Sequence, residues 1–164
     1  MARDSGFFTF ALQFVRDFLP FVCYTDGKAN CLYTRKPQER TVLQMNIAIL
    51  IDAENVLPAS ADLIFSHAAS LGDVTHKEIY GAATALSAWV APVLKYAIHP
   101  NLTIKAAKGK NSSDIALVIG AMDLLLTGDV NAVVIASSDS DFSALSIRLR
   151  NAGIEVIGMG TVRT

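Results

Sequence analysis

The sequence predicts an α/β protein in which helices cover both faces of a mostly parallel sheet of about five strands. Between residues 46 and 158, short β-branched runs alternate with amphipathic stretches of about 12–15 residues, which is the pattern of βαβ units. The runs 46–52 and 132–137 are apolar without alternation, as in central strands that are covered on both faces. A chain of 164 residues, 52% of them hydrophobic, suits one such domain.

The elements follow from these runs and from the residues that end them. Strands are predicted at 46–52, 74–80, 102–106, 132–137 and 154–159. Helices are predicted at 59–71, 84–98, 113–127 and 142–152. Gly72, Gly128 and Gly153 supply stop signals, and Pro100 is expected to separate the second helix from the third strand.

Residues 1–44 differ from the rest and are interpreted as an N-terminal appendage to a domain at 45–164. One helical face collects apolar residues at i, i+3, i+4, i+7 and i+11, namely Phe7, Phe10, Ala11, Phe14 and Phe18. Asp26 and Gly27 lie between two short mixed runs and favour a hairpin turn. Met45, directly before the first strand, is an alternative start of the natural chain.

Composition excludes several classes of protein. No apolar run approaches the roughly 18 residues of a membrane helix, so no membrane partner is expected. Cys23 and Cys31 match no zinc or redox spacing, which favours a reducing cytoplasm. The net charge of −1 excludes a broad basic surface for nucleic acid. The apolar appendage makes a homodimer an open expectation.

Four carboxylates fall where a parallel α/β sheet places its ligand site, at strand ends and helix starts. Asp52 ends the first strand, and Asp114 opens the third helix. Asp139 and Asp141 follow the fourth strand. If the first and fourth strands are neighbours, all four acids converge.

Converging carboxylates repel one another, so they either hold protons or are neutralised by a cation. An all-oxygen set without His or Cys favours Mg²⁺ or Mn²⁺ over zinc. Such an ion activates water and offsets charge on a phosphoryl oxygen, which is the chemistry of phosphodiester hydrolysis. Helix capping is the alternative for Asp139, Asp114 and Asp141, whereas Asp52 gains nothing from the core that precedes it.

Polar residues near these acids complete the predicted site. Asn55 is either a turn residue or a group that orients Asp52 and a bound water. Ser138 either helps to cap a helix or contacts a ligand. Three lysines lie ahead of Asp114 and are candidates for contact with phosphates, with a solvated loop as the alternative; they are Lys105, Lys108 and Lys110.

Taken together, these motifs resemble the NYN domain family, in its LabA-like branch, within the PIN-like ribonuclease superfamily. The resemblance covers roughly residues 45–160. It rests on Ile-Asp-Ala-Glu-Asn-Val at 51–56, Ile-Tyr-Gly at 79–81, Gly-Lys-Asn-Ser-Ser-Asp-Ile-Ala-Leu-Val-Ile at 109–119, Ala-Met-Asp-Leu-Leu at 121–125 and Ser-Ser-Asp-Ser-Asp-Phe at 137–142.

The resemblance implies a PIN-like three-layer α/β/α sandwich and cleavage of RNA by aspartates that bind Mg²⁺ or Mn²⁺. It assigns metal binding to Asp52, Asp114, Asp139 and Asp141. Two positions depart from the family, which commonly has acids where this chain has Ala82 and Gly120. These departures leave open an NYN domain that binds RNA or protein with weak catalysis. A Rossmann-like phosphate enzyme is disfavoured because no glycine-rich phosphate loop follows any strand.

Overall fold

The computed structural model describes residues 22–25, 28–31, 45–104 and 111–160. The predicted helix at 7–18 and the three lysines at 105–110 lie outside these ranges. Ahead of the main domain, β1 (Val22–Thr25) pairs with β2 (Lys28–Cys31) in antiparallel fashion. Within the described residues, no helix has the length and apolar character that a membrane span requires.

The main domain is built on a sheet of five parallel strands, which confirms the predicted fold class. The strands are β3 (Asn46–Asp52), β4 (Asp73–Gly81), β5 (His99–Leu102), β6 (Ala132–Ala136) and β7 (Glu155–Met159). Their order across the sheet is β5-β4-β3-β6-β7. The first and fourth predicted strands, β3 and β6, are therefore neighbours, and Ile51 pairs with Ala136 at their carboxyl ends.

Helices cover both faces of this sheet and make the three layers. They are α1 (Ala61–Leu71), α2 (Ala83–Ala88), α3 (Val90–Tyr96), α4 (Ser112–Thr127) and α5 (Ser143–Asn151). The first three pack on the face that carries Ile47, Ile49 and Ile51. The other two pack on the face that carries Ala48 and Leu50. Because side chains alternate along a strand, Asp52 points to the face covered by α4.

The prediction of one helix at 84–98 was wrong, because the segment forms two short helices, α2 and α3, that meet at Trp89. Pro92 lies four residues after Ala88, so it has no N–H to donate to the Ala88 carbonyl and its ring crowds that oxygen. The proline is tolerated in the first turn of α3. Trp89, fully buried, fills the space at the break.

The third strand was predicted at 102–106, whereas β5 starts at His99 and ends at Leu102. Pro100 therefore lies inside the strand and pairs with Ile79, instead of standing ahead of it. A proline is compatible with this position because β5 is at the edge of the sheet, where one side of the strand needs no hydrogen-bonding partner.

Candidate functional site

The turn after β3 is organised by the carboxylate of Asp52, which is buried with 1% of its surface exposed. Its Oδ1 accepts a hydrogen bond from the backbone N–H of Glu54 at 3.0 Å. Its Oδ2 accepts one from the side-chain amide of Asn55 at 2.7 Å. The Asp52 carbonyl also accepts the N–H of Val56 at 3.1 Å. Asn55 thus acts both as a turn residue and as a group that orients Asp52.

Asp52 is connected to the end of β6 through Ser137, a residue that the sequence analysis did not select. The hydroxyl of Ser137 donates to Asp52 Oδ2 at 2.8 Å. The same hydroxyl accepts the backbone N–H of Asp139 at 3.1 Å. The signal that could have identified Ser137 is its position, since Ser137 and Asp52 each directly follow one member of the Ile51–Ala136 pair. Ser138, the serine that was selected, is the next residue and is half-buried.

Asp139 is the N-cap of the short 3-10 turn Ser140–Phe142, as the capping alternative predicted. Its Oδ1 accepts the backbone N–H of Asp141 at 2.9 Å. Capping uses one carboxylate oxygen, so it does not exclude a second role for the other. Asp141 lies in the first turn and is exposed.

Asp114 lies in the first turn of α4. Burial raises the pKa of its carboxyl, and the negative charges of Asp52, Asp139, Glu54 and Asp141 raise it further. Asp114 therefore lies within range of the charges of the other three predicted acids. Glu54 is a fifth acid in this field, and the sequence analysis did not select it.

These carboxylates form an electrostatic cluster and not a closed coordination shell. Over residues 45–104 and 111–160, no three His, Cys, Asp or Glu side chains are placed to hold a metal ion as they stand. The donor chemistry nevertheless fits a hard dication, because the groups are oxygen acids whose charges raise the pKa of Asp114. Lys105, Lys108 and Lys110, the predicted phosphate-contacting lysines, lie outside the described residues.

Of the two departures from the family pattern, Ala82 contacts an acid of the cluster, whereas Gly120 contacts Tyr80, the strand neighbour of Asp52. The backbone N–H of Ala82, directly after β4, donates to Glu54 Oε1 at 3.4 Å, so the Glu54 carboxylate lies beside the position where the family commonly has an acid. Gly120 packs against Tyr80, and a Cβ at this position would overlap the Tyr80 hydroxyl. The missing side chain at 120 thus makes room for a buried tyrosine.

Comparison with known proteins agrees with the fold and with the motifs. A crystal structure of a protein of unknown function from Vibrio parahaemolyticus is similar, with a TM-score of 0.55 and 21% sequence identity. The match covers 73% of this chain and 84% of the other, and it supports the fold alone. No curated protein matches the chain. The model of the NYN domain matches residues 46–164, and the chain therefore belongs to the NYN domain family.

Proposed function

We propose that this NYN domain is a divalent-cation-dependent endoribonuclease of the LabA-like branch that hydrolyses phosphodiester bonds in cytoplasmic RNA. NYN domains are a PIN-like nuclease family, which supports phosphodiester chemistry in general. The observation that carries the proposal is the connection of Asp52 and Asp139 through Ser137 at the carboxyl ends of β3 and β6, with the Asp114 carboxyl within range of both charges. Carboxylates that lie close together repel one another, and such clusters are typical of sites that bind a cation or take up a proton.

In this proposal, Asp52, Asp114 and Asp139 hold Mg²⁺ or Mn²⁺, and Asp141 supports them. When bound, the ion lowers the pKa of a water molecule and offsets charge on the phosphoryl oxygens. Asn55 and Ser137 fix the direction of the Asp52 carboxylate through the hydrogen bonds at 2.7 and 2.8 Å. Lys105, Lys108 and Lys110, with Ser138, are proposed to contact the RNA.

The test is cleavage of a labelled single-stranded RNA in Mn²⁺, with Asp52→Asn and Asp139→Asn compared with the wild type. We expect both substitutions and EDTA to abolish cleavage. Asp129→Asn is the matched control, because this exposed aspartate follows α4 near Asn46 at the opposite end of the sheet. Cleavage that survives both site substitutions would exclude the proposal.

A second function is favoured by Ala82 and Gly120, where acids common in the family are absent. It is an NYN domain that binds RNA or a protein with little turnover. In that case RNA binds the wild type, no cleavage product appears in Mn²⁺ or Mg²⁺, and Asp52→Asn leaves binding intact.

A further inference from the structure

A groove of about 470 Å³ lies between α4 and the strands β4 and β5, and none of the five acids of the carboxylate cluster lines it. Its polar floor comes from Glu78 and Tyr80 on β4 and from Asn101 on β5. Its walls include Leu102 and Ile119, whose side chains are 60% and 56% exposed. The volume is in the range of pockets that hold small organic ligands.

The floor presents a carboxylate whose direction is fixed. Glu78 Oε2 accepts hydrogen bonds from the Tyr80 hydroxyl and from the Asn101 amide, the latter at 3.0 Å. Both of these donors bind the same oxygen, Oε2. An ionised carboxylate has about four acceptor positions, so this group has capacity for ligand N–H donors.

Tyr80 remains a neutral donor in this arrangement. Burial raises the pKa of its phenol, and the hydrogen bond to Glu78 and the charges of Glu78 and Asp123 raise it further. Because the charge of Asp123 acts on the Tyr80 phenol, this exposed carboxylate lies near the floor of the groove. Asp123 is part of α4 and lines the groove from that side. The groove therefore offers two carboxylates as acceptors beside apolar walls.

One helix connects the groove to the carboxylate cluster. Asp114 lies in the first turn of α4, and Ile119 and Asp123 follow on the same helix. Five residues of helix from Asp114 to Ile119 rise about 7 to 8 Å along the helix axis and turn about 140° around it. The floor of the groove also approaches the cluster, because Tyr80 pairs with Asp52 across β4 and β3. A nucleotide next to a phosphodiester held at the cluster therefore lies beside this end of the groove.

From this geometry, and resting on the proposed ribonuclease function, we infer that the groove binds an unstacked guanine base next to the cleaved phosphodiester. Guanine presents adjacent donors, N1–H and the N2 amino group, to the carboxylates of Glu78 and Asp123. Its flat ring fits between the side chains of Leu102 and Ile119. Reading of base edges in splayed single strands is the usual route to sequence-specific recognition of RNA.

The direct test measures binding of guanosine monophosphate and inosine monophosphate to the full chain by calorimetry. The two probes differ only in the N2 amino group. We expect guanosine monophosphate to bind about 10-fold more tightly, as for one lost hydrogen bond to a charged acceptor. Glu78→Gln and Asp123→Asn should reduce this preference. Asp123 is exposed, so its substitution does not threaten folding.

Glu155→Gln is the matched control, since it makes the same chemical change on the exposed surface of β7 at the opposite edge of the sheet. It should leave the preference unchanged. Equal affinity for the two nucleotides, absence of binding, or an unchanged preference in both groove variants would overturn the inference.

A parallel assay of RNA cleavage separates the inference from the function on which it rests. If Asp52→Asn abolishes cleavage but the wild type binds the two nucleotides equally well, the inference about the groove is refuted and the proposed ribonuclease function stands. Guanosine monophosphate bound with the expected preference, without any cleavage of RNA, supports the groove and refutes the nuclease.

Discussion

Asp52 shows how much of the role of a single residue could be predicted from the sequence. An acid directly after Ile49, Leu50 and Ile51 has no place in a core, and its three accepted hydrogen bonds explain why it is tolerated there. Ser137, which donates one of these bonds, was missed. Serine is common in turns and carries no signal of its own, and only the pairing of β3 with β6 places its hydroxyl beside Asp52.

At the residue scale, Ser137→Ala is expected to lower the cleavage rate and the apparent affinity for Mn²⁺ by about 10- to 100-fold, as for partners that orient metal ligands. Ser137 acts through Asp52 and Asp139, so Ser137→Thr, which keeps the hydroxyl, should restore much of both. Rates measured across a Mn²⁺ titration check this. Ser146→Ala is the control, because its hydroxyl donates to the Phe142 carbonyl. Equal losses in the two alanine variants would contradict a positioning role.

At the scale of elements, prolines and glycines account for where the predictions succeeded and failed. Gly128 has a φ of 71° and ends α4, as predicted from its position after an apolar stretch. Pro92 breaks the second helix and was overlooked, although its position four residues after Ala88 carries the necessary signal. Gly120 is different, because the residue that requires a glycine there is Tyr80, a neighbour on another element.

Replacing Gly120 with Ala tests that reason. In an exposed helix this change stabilises by about 1 kcal/mol. Here the new Cβ overlaps the Tyr80 hydroxyl and lies 2.9 Å from Cζ of the same ring. We expect the free energy of unfolding in urea to fall, because overpacking typically costs about 1–3 kcal/mol. Adding Tyr80→Phe to Gly120→Ala should recover part of the loss, and a single variant more stable than the wild type would be inconsistent with this packing.

At the scale of the whole molecule, the charge distribution links stability to the candidate site. Residues 1–44 carry six basic and four acidic residues, so their net charge is +2 and that of the remaining chain is −3. Asp114 and the four acids that act on it account for much of this negative charge. Like charges held together destabilise the folded state unless a cation offsets them.

Asp114→Asn is therefore expected to raise the melting temperature by a few degrees at neutral pH without divalent cations. The folded-state pKa of Asp114 is raised, so its charge costs stability once the pH exceeds the ordinary carboxyl range, and the gain should vanish on acidification. Mn²⁺ should raise the melting temperature of the wild type more than that of the variant. Thermal unfolding with and without Mn²⁺ measures both effects, and a variant less stable than the wild type at neutral pH would contradict them.

The sequence by itself determined the fold class, the carboxylates and the family, because hydrophobic periodicity and local motifs are properties of adjacent residues. Only the tertiary structure decided that β3 and β6 are neighbours, that Ser137 bridges Asp52 and Asp139, and that Gly120 accommodates Tyr80. Gly120 and Tyr80 are 40 positions apart, and Ser137 and Asp52 are 85 positions apart. Strand order and register set such distances, and no local pattern along the chain encodes them.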